Sequence, residues 1–345
     1  MMLINKSGNG AEELQQLTSS YYANNDFDRA STLWILEENQ MTKLVGGDLM
    51  ARALAHYNSD DFQKENPSAE EAKNDKLVQL LQIPIAYRTT LRYYQLNTVS
   101  HETSGRKVKI DRENESMAWE WMIDKDDAAQ LRMAHETTDM LIDWLEAHQI
   151  AEWMGSENRK ASRELFVNSI GLFQQAYPMV DHSQSFFYTV VPFLREIQNN
   201  VLRKALGTHY TPLLQRWTSG ETESGSGSAG GGISSLDEEL EEFYDSLLRY
   251  VQTVQPLLTM VIAVKRLSLQ VMPEGVMQHF KSMVQSRSAS QIPLKDVMEL
   301  HIKNLNDDAR ELLDDIKVFI RSADPEAGVY TILPENKEEN KFFRT

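Results

Sequence analysis

Ser235-Leu-Asp-Glu-Glu-Leu-Glu-Glu-Phe-Tyr-Asp-Ser-Leu-Leu-Arg-Tyr-Val-Gln-Thr-Val-Gln-Pro-Leu-Leu-Thr-Met-Val-Ile-Ala-Val264 is the longest stretch of the chain in which apolar residues recur at helical spacing. Leu236, Leu240, Phe243, Leu247, Val251, Val254, Leu258 and Val261 fall three or four apart, which lays them on one side of an α-helix and predicts a single buried stripe. Ser235-Leu-Asp-Glu238 reads as a capping box, its acids over the positive helix end. Pro256 lacks the amide hydrogen a helix interior needs and should kink it. An earlier stretch has the same design: after Asn66-Pro67-Ser68 come Leu77, Leu80, Leu81, Ile85, Leu91 and Tyr94, with Pro84 in the middle.

Working outward, other positions match as well. Leu3-Ile-Asn-Lys-Ser-Gly8 lines up with Phe166-Val-Asn-Ser-Ile-Gly171 at an offset of 163, and Lys43-Leu-Val-Gly46 with Lys204-Ala-Leu-Gly207 at 161, each glycine placed to close a helix. Pro84 and Pro256 give an offset of 172, which also carries Met133, Met140, Leu141, Asp143 and Trp144 onto Leu305, Leu312, Leu313, Asp315 and Ile316. The pattern predicts an internal duplication. The one large jump falls across Ser224-Gly-Ser-Gly-Ser-Ala-Gly-Gly-Gly232, which reads as a flexible insertion in a loop spanning 219–234.

Each long helix is followed by a break with strand character: Val99 to Ile110 around Gly105 in the first copy, and Leu269, Val271 and Val276 around Pro273-Glu-Gly275 in the second. A last helix closes each unit, over about 114–149 and about 293–321. The fold expected is all-α or nearly so: two similar helical-bundle units, 1–163 and 164–322, each with one small β-hairpin, then an extended tail over 323–345. Val329-Tyr-Thr-Ile-Leu333 and Phe342-Phe343 make that tail apolar enough to dock.

With 345 residues, 41% of them hydrophobic, the chain can bury a large core. Its 35 Lys and Arg against 51 Asp and Glu leave a net charge of −16, which repels nucleic acid phosphate and anionic lipid. The longest basic run, Arg106-Lys-Val-Lys109, meets Asp111 and Glu113 at once. With no cysteine, thiolate metal sites and thiol nucleophiles are excluded. The start lacks a signal-peptide apolar run, and the most apolar window, Val254 to Val264, is short and broken by proline, so a cytoplasmic or virion protein is expected rather than a membrane one.

Residues that might carry chemistry do not assemble into a site. Gly225-Ser-Gly-Ser-Ala-Gly230 spells a dinucleotide fingerprint, but lacks the preceding strand and sits among acids. His135-Glu136 begins like a zinc helix, yet Asp139 stands where the second histidine belongs, and His135 is read as a surface residue beside Glu136 and Asp139. The other histidines, His56, His101, His148, His182, His209, His279 and His301, form no i, i+3 or i, i+4 pair. Asp126-Asp127, Asp307-Asp308 and Asp314-Asp315 are consecutive and diverge on a helix. Trp119-Glu-Trp121 and Phe186-Phe-Tyr188 could stack bases, but in so acidic a chain core packing or a subunit interface is the sounder reading. Trp34, Trp144, Trp153 and Trp217 fall near helix ends, where large rings seal junctions. No catalytic, cofactor-binding or metal residue is expected, and no cofactor.

Glu115-Ser-Met-Ala-Trp-Glu-Trp121, Asp139-Met-Leu-Ile-Asp-Trp-Leu-Glu146, Trp153-Met-Gly-Ser156, Leu165-Phe-Val-Asn168 and the segment Ile197 to Leu214, with its Ala205-Leu-Gly207, resemble a helical family of unknown function encoded in bacterial genomes and prophages. The resemblance covers the middle third of the chain and brings no residue roles with it. More loosely the chain is similar to the helical head–tail connector or neck proteins of tailed phages. That resemblance implies a non-enzymatic assembly protein, working through contacts with further copies of itself and other virion proteins. A cytoplasmic scaffold or adaptor is the alternative, and a hydrolase or nucleotide-binding enzyme with a dispersed site is a third reading.

Overall fold

The computed structural model describes residues 2–18, 27–98, 100–102, 105–107, 119–180, 182–223, 235–267, 269–272, 275–278 and 295–323. They are mainly helical and fall into two compact units. One is drawn from Met1–Ala161 and His182–Tyr188, the other from Ser162–Asp181, Thr189–Phe280 and Ile292–Thr345. The segment His182–Tyr188, expected in the second unit, thus packs with the first. Its aromatic rings explain this, since Tyr188 meets the buried Trp153 edge-on at 5.4 Å.

In chain order the elements are α1 (Gly10–Thr18), α2 (Asp28–Val45), α3 (Gly47–Tyr57), α4 (Ala69–Asn97), β1 (Ser100–Glu102), β2 (Gly105–Lys107), α5 (Glu120–Ala147), α6 (Ala151–Met154), α7 (Glu157–Arg163), α8 (Ile170–Ala176) and α9 (Gln184–Ile197). A π-helical turn (Gln198–Leu202) leads into α10 (Arg203–Leu206), a 3₁₀ turn (Gly207–His209), α11 (Tyr210–Glu223), α12 (Ser235–Arg266), β3 (Leu269–Met272), β4 (Gly275–Gln278) and α13 (Lys295–Ala323). The strands form two antiparallel pairs, β1 with β2 closing at Glu102 and Gly105, and β3 with β4 closing at Met272 and Gly275.

The first unit is built on α4. Ser68 caps it with a complete box: its hydroxyl accepts the Glu71 N–H at 3.3 Å while its own N–H donates to Glu71 at 2.6 Å. That backbone hydrogen bond, more than any other influence, holds the Glu71 carboxyl below its ordinary range. Leu77, Leu80, Leu81 and Ile85 are then buried against Trp34, Met41 and Val45 of α2, Leu49 and Tyr57 of α3, and Leu141, Ile142 and Leu145 of α5. Each such side chain contributes about 2 kcal/mol by leaving water. Gly46 ends α2 with φ 97°, its N–H bonded to the Thr42 carbonyl. A Cβ there would lie 3.2 Å from that of Ser156, so both backbone and space require glycine.

The second unit is built on α12, which buries Leu247, Val251 and Val254 and packs on α13, α8 and the π-helical turn. Its stripe is buried only from Leu247 onward; Leu240, expected inside, is exposed. Both prolines lie inside continuous helices. The window Leu240–Arg266 is long and apolar enough to cross a membrane by composition, but 56% of its apolar span is buried within the protein. Gly207 ends α10 with φ 54° and no atom within 4 Å of a built Cβ.

The loop expected at 219–234 is shorter than its composition suggested, because residues 219–223 complete α11. Once a helix is nucleated, adding a residue requires only propagation, and polar residues at its end are carried along. Residues 224–234, the expected Gly/Ser tract, and 324–345, most of the expected tail, lie outside the described residues, as do the side chains of the Ser235 capping box. The last helices begin at Glu120 and Lys295.

Candidate functional site

Two kinds of place combine buried polar groups or uncovered apolar ones. The first is a clamp on an extended segment. In the first unit the Leu3 N–H donates to Glu38 Oε2 at 2.9 Å, and the same oxygen accepts the Trp34 indole N–H at 2.8 Å. Gln82 Nε2 donates to the Leu3 carbonyl at 2.7 Å, so a buried backbone is satisfied on both sides by side chains. Asn5 N–H donates to Glu13, and Lys6 N–H to the Tyr57 hydroxyl, which itself donates to Glu13 at 2.6 Å. Burial first, and then that hydrogen bond to Glu13, push the Tyr57 phenol far above its ordinary value.

In the second unit the Phe166 N–H donates to Gln198 Oε1 at 2.9 Å, Gln252 Nε2 donates to the Phe166 carbonyl at 3.0 Å, and Gln198 Nε2 donates to the Glu164 carbonyl. Gln255 Nε2 reaches the Gln198 oxygen at 3.3 Å. Glu38, Gln82, Gln198 and Gln252 in these clamps each bond a backbone group, while Trp34 and Tyr57 donate to the carboxylates of Glu38 and Glu13.

The second kind of place is a two-helix arm. Past Thr90 in α4 and before Ala134 in α5 no described residue is buried, and Gln95 Nε2 to Asp127 Oδ2 at 3.0 Å ties the two antiparallel helices together. Trp119 is 70% exposed, and Tyr94, Leu96, Trp121, Met122 and Leu131 are exposed with it. The core-packing alternative for Trp119 and Trp121 is therefore corrected. Among the described residues α4 is the helix that packs along this stretch of α5, and the rings stand outside that contact. In the second unit the stretch of α12 after Ala263 and of α13 before Leu305 likewise holds no buried described residue, and Leu267, Val297 and Leu300 are exposed.

The other singled-out residues are scattered. His135 is exposed on α5; partial burial first, and then the charge of Arg88, hold its pKa below the ordinary value. His56 lies 2.7 Å from Asp75, His301 accepts or donates to the Tyr177 hydroxyl at 2.9 Å, and His182 lies 3.6 Å from Asp143. Among the described residues no three His, Asp or Glu side chains are placed to hold a metal ion. Asp307, Asp308, Asp314 and Asp315 are exposed, and Asp314 pairs with Lys317 at 2.7 Å, which lowers its pKa. Phe187 is buried, as are Trp34 and Trp153, while Trp217 donates to the Leu165 carbonyl at 2.9 Å. His101, His279 and the segment 224–234 carry no described side chains.

Arg88 was not singled out from the sequence. Its Nε is buried without a hydrogen-bond partner, on the α4 face opposite Ala134 and His135. A lone arginine in a helical stripe gives no sequence signal of this kind, because pairing is decided by the neighbouring helix. Compared with known proteins, the chain matches no family model, no curated protein and no solved structure.

Proposed function

We propose that the chain is a non-enzymatic structural or assembly protein of the head–tail connector kind, belonging to a tailed phage or prophage and working through contacts with further copies of itself and with other virion proteins. The observation that carries this is the pair of arms. In the first, two helices bury nothing along about two turns yet hold tryptophan, tyrosine, leucine and methionine outward. In the second, α13 is uncovered before Leu305 and α12 only over Val264–Arg266, with leucine and valine exposed. Such stretches are marginal alone and gain stability from a partner surface. Closed rings of identical subunits are the economical way to cover such surfaces. The test is direct imaging and mass measurement of the purified full chain at micromolar concentration. Uniform closed rings are expected; a monomer at every concentration would sink the reading.

The reading includes an ancient duplication of one helical module. Supporting it, both units run through the same order of elements, with an extended segment clamped by a residue of the second long helix (Glu38, Gln198) and by a glutamine of the proline-containing helix (Gln82, Gln252). Gln82 and Gln252 are 170 apart, as are the buried Thr89 and Thr259 and the hairpin glycines Gly105 and Gly275. The buried set Ala134, Thr138 and Leu145 in α5 corresponds to Leu305, Ala309 and Ile316 in α13 at 171. The proline-based offset of 172 is thus shifted by one or two residues. Met133, which it placed on Leu305, is 38% exposed where Leu305 is 6%. One residue rotates a helix by about 100°, enough to move a stripe off the core.

A further inference from the structure

We propose that the α4–α5 face around Arg88, Arg132 and His135 is a carboxylate-binding contact that receives the acidic face of α13 from a second copy of this chain. The inference rests on the assembly reading and names the surface through which it would act.

Arg88 is half-buried and its Nε is enclosed with no acceptor, while among the described residues no carboxylate lies within ion-pairing distance of it. Arg132 is exposed on α5, one turn before His135, and likewise forms no ion pair with a described acid. Among the acids of this surface, Glu37 is engaged with Arg92, Asp127 with Gln95 and Asp139 with the Ser185 N–H at 2.8 Å, while the exposed Glu136, one turn beyond Arg132, makes no ion pair with either arginine. A guanidinium Nε shut off from water without an acceptor is costly in a chain of net charge −16 that could have supplied one. Leu131, exposed beside these cations, gives the contact an apolar centre.

The α13 face has the complementary layout. Asp307, Asp308, Glu311 and Asp315 are exposed with no described cation within ion-pairing distance, and Val318 is exposed among them. Lys303, Arg310 and Lys317 recur every seventh residue on a neighbouring strip of the helix that also holds Asp307 and Asp314, leaving Asp308, Glu311 and Asp315 as the unneutralised acidic strip. One surface lies in the first unit and the other in the second, so their union joins different patches of two copies. Such a head-to-tail contact closes into a ring when the rotation allows.

The test compares self-association of the full chain, by sedimentation or mass photometry at low and moderate salt, with that of charge-reversed forms. Arg132 is exposed, so Arg132→Glu spares the fold; it should weaken association several-fold, and Arg88→Glu with Arg132→Glu by roughly tenfold or more. Glu311→Lys with Asp315→Lys should weaken it similarly, and mixing the two reversed forms should restore it. If the wild type forms rings that none of these changes weakens, or if the mixed forms do not recover, this contact is wrong while the ring reading stands. A wild type that never associates removes both.

Discussion

The two extended segments, Leu3–Ile4 and Phe166–Val167, are held in the same manner by different chemistry. Glu38 is a carboxylate that accepts twice through one oxygen, from a backbone N–H and from an indole. Gln198 is an amide that accepts from the backbone N–H and also donates, to the Glu164 carbonyl at 2.9 Å. The first clamp needs only an acceptor, the second needs both roles. A fold of this kind constrains the geometry of a buried polar group more tightly than its charge.

That contrast can be broken most decisively by removing the acceptor. Glu38→Leu strands two buried donors and should cost about 3 kcal/mol, read as a fall in the denaturation midpoint of the first unit, whereas Glu38→Gln keeps an acceptor oxygen and should cost less than about 1 kcal/mol. Equal losses for both would mean that charge, not acceptance, matters. Conversely Gln198→Glu loses the donor to Glu164 and should be the more damaging of the two exchanges.

The helix-ending glycines give the next largest effect. Gly46→Ala meets both a left-handed backbone and Ser156, and should cost about 2–3 kcal/mol, while Gly207→Ala meets only the backbone and should cost about 1 kcal/mol by thermal unfolding. A reversed order would show that Ser156 yields easily. Smaller still is the cap of α4: Ser68→Ala should cost about 1 kcal/mol. Because the folded Glu71 carboxyl titrates below its unfolded value, its contribution is present above the unfolded pKa and fades as pH falls through the folded one. The stabilities of Glu71→Ala and wild type should therefore converge in acid, while Ser68→Ala, which keeps the backbone N–H that bonds Glu71, should retain most of that pH dependence. Tyr57 runs the other way. With its folded pKa raised, its contribution is complete below about pH 10 and declines as pH rises from there toward the folded value, and Tyr57→Phe should flatten that alkaline decline.

Much of the architecture is legible in the chain because it depends on local period. The stripes of α4 from Leu77 to Ile85 and of α12 beyond Leu247, the closing glycines Gly46 and Gly207, and the breaks after each long helix all follow from residue spacing, whereas Leu91 and Tyr94, in the same phase, are not buried. What spacing could not give is which neighbour covers a stripe. Leu240 has the right phase but no cover, and Trp119 and Trp121, large enough for a core, stand at the end of an arm. On the proposed duplication the prolines are the weaker markers for a related reason: proline marks a helix by what it cannot do and says nothing of which side packs, whereas Gln82 and Gln252 are fixed by the carbonyl each reaches. The Arg88 surface was invisible because it is defined by missing partners.

The π-helical turn Gln198–Leu202 has a consequence for how such a chain tolerates changes in length. From Glu38 to Gly46 is eight residues, and from Gln198 to Gly207 nine, yet each pair spans from a clamp to a helix-ending glycine. An extra residue in a regular helix would swing everything beyond it by about 100°. A single widened turn takes up that residue locally and cancels most of the swing. A cylinder can therefore lengthen in mid-course with its two anchorages left in phase, and no loop has to be added or lost.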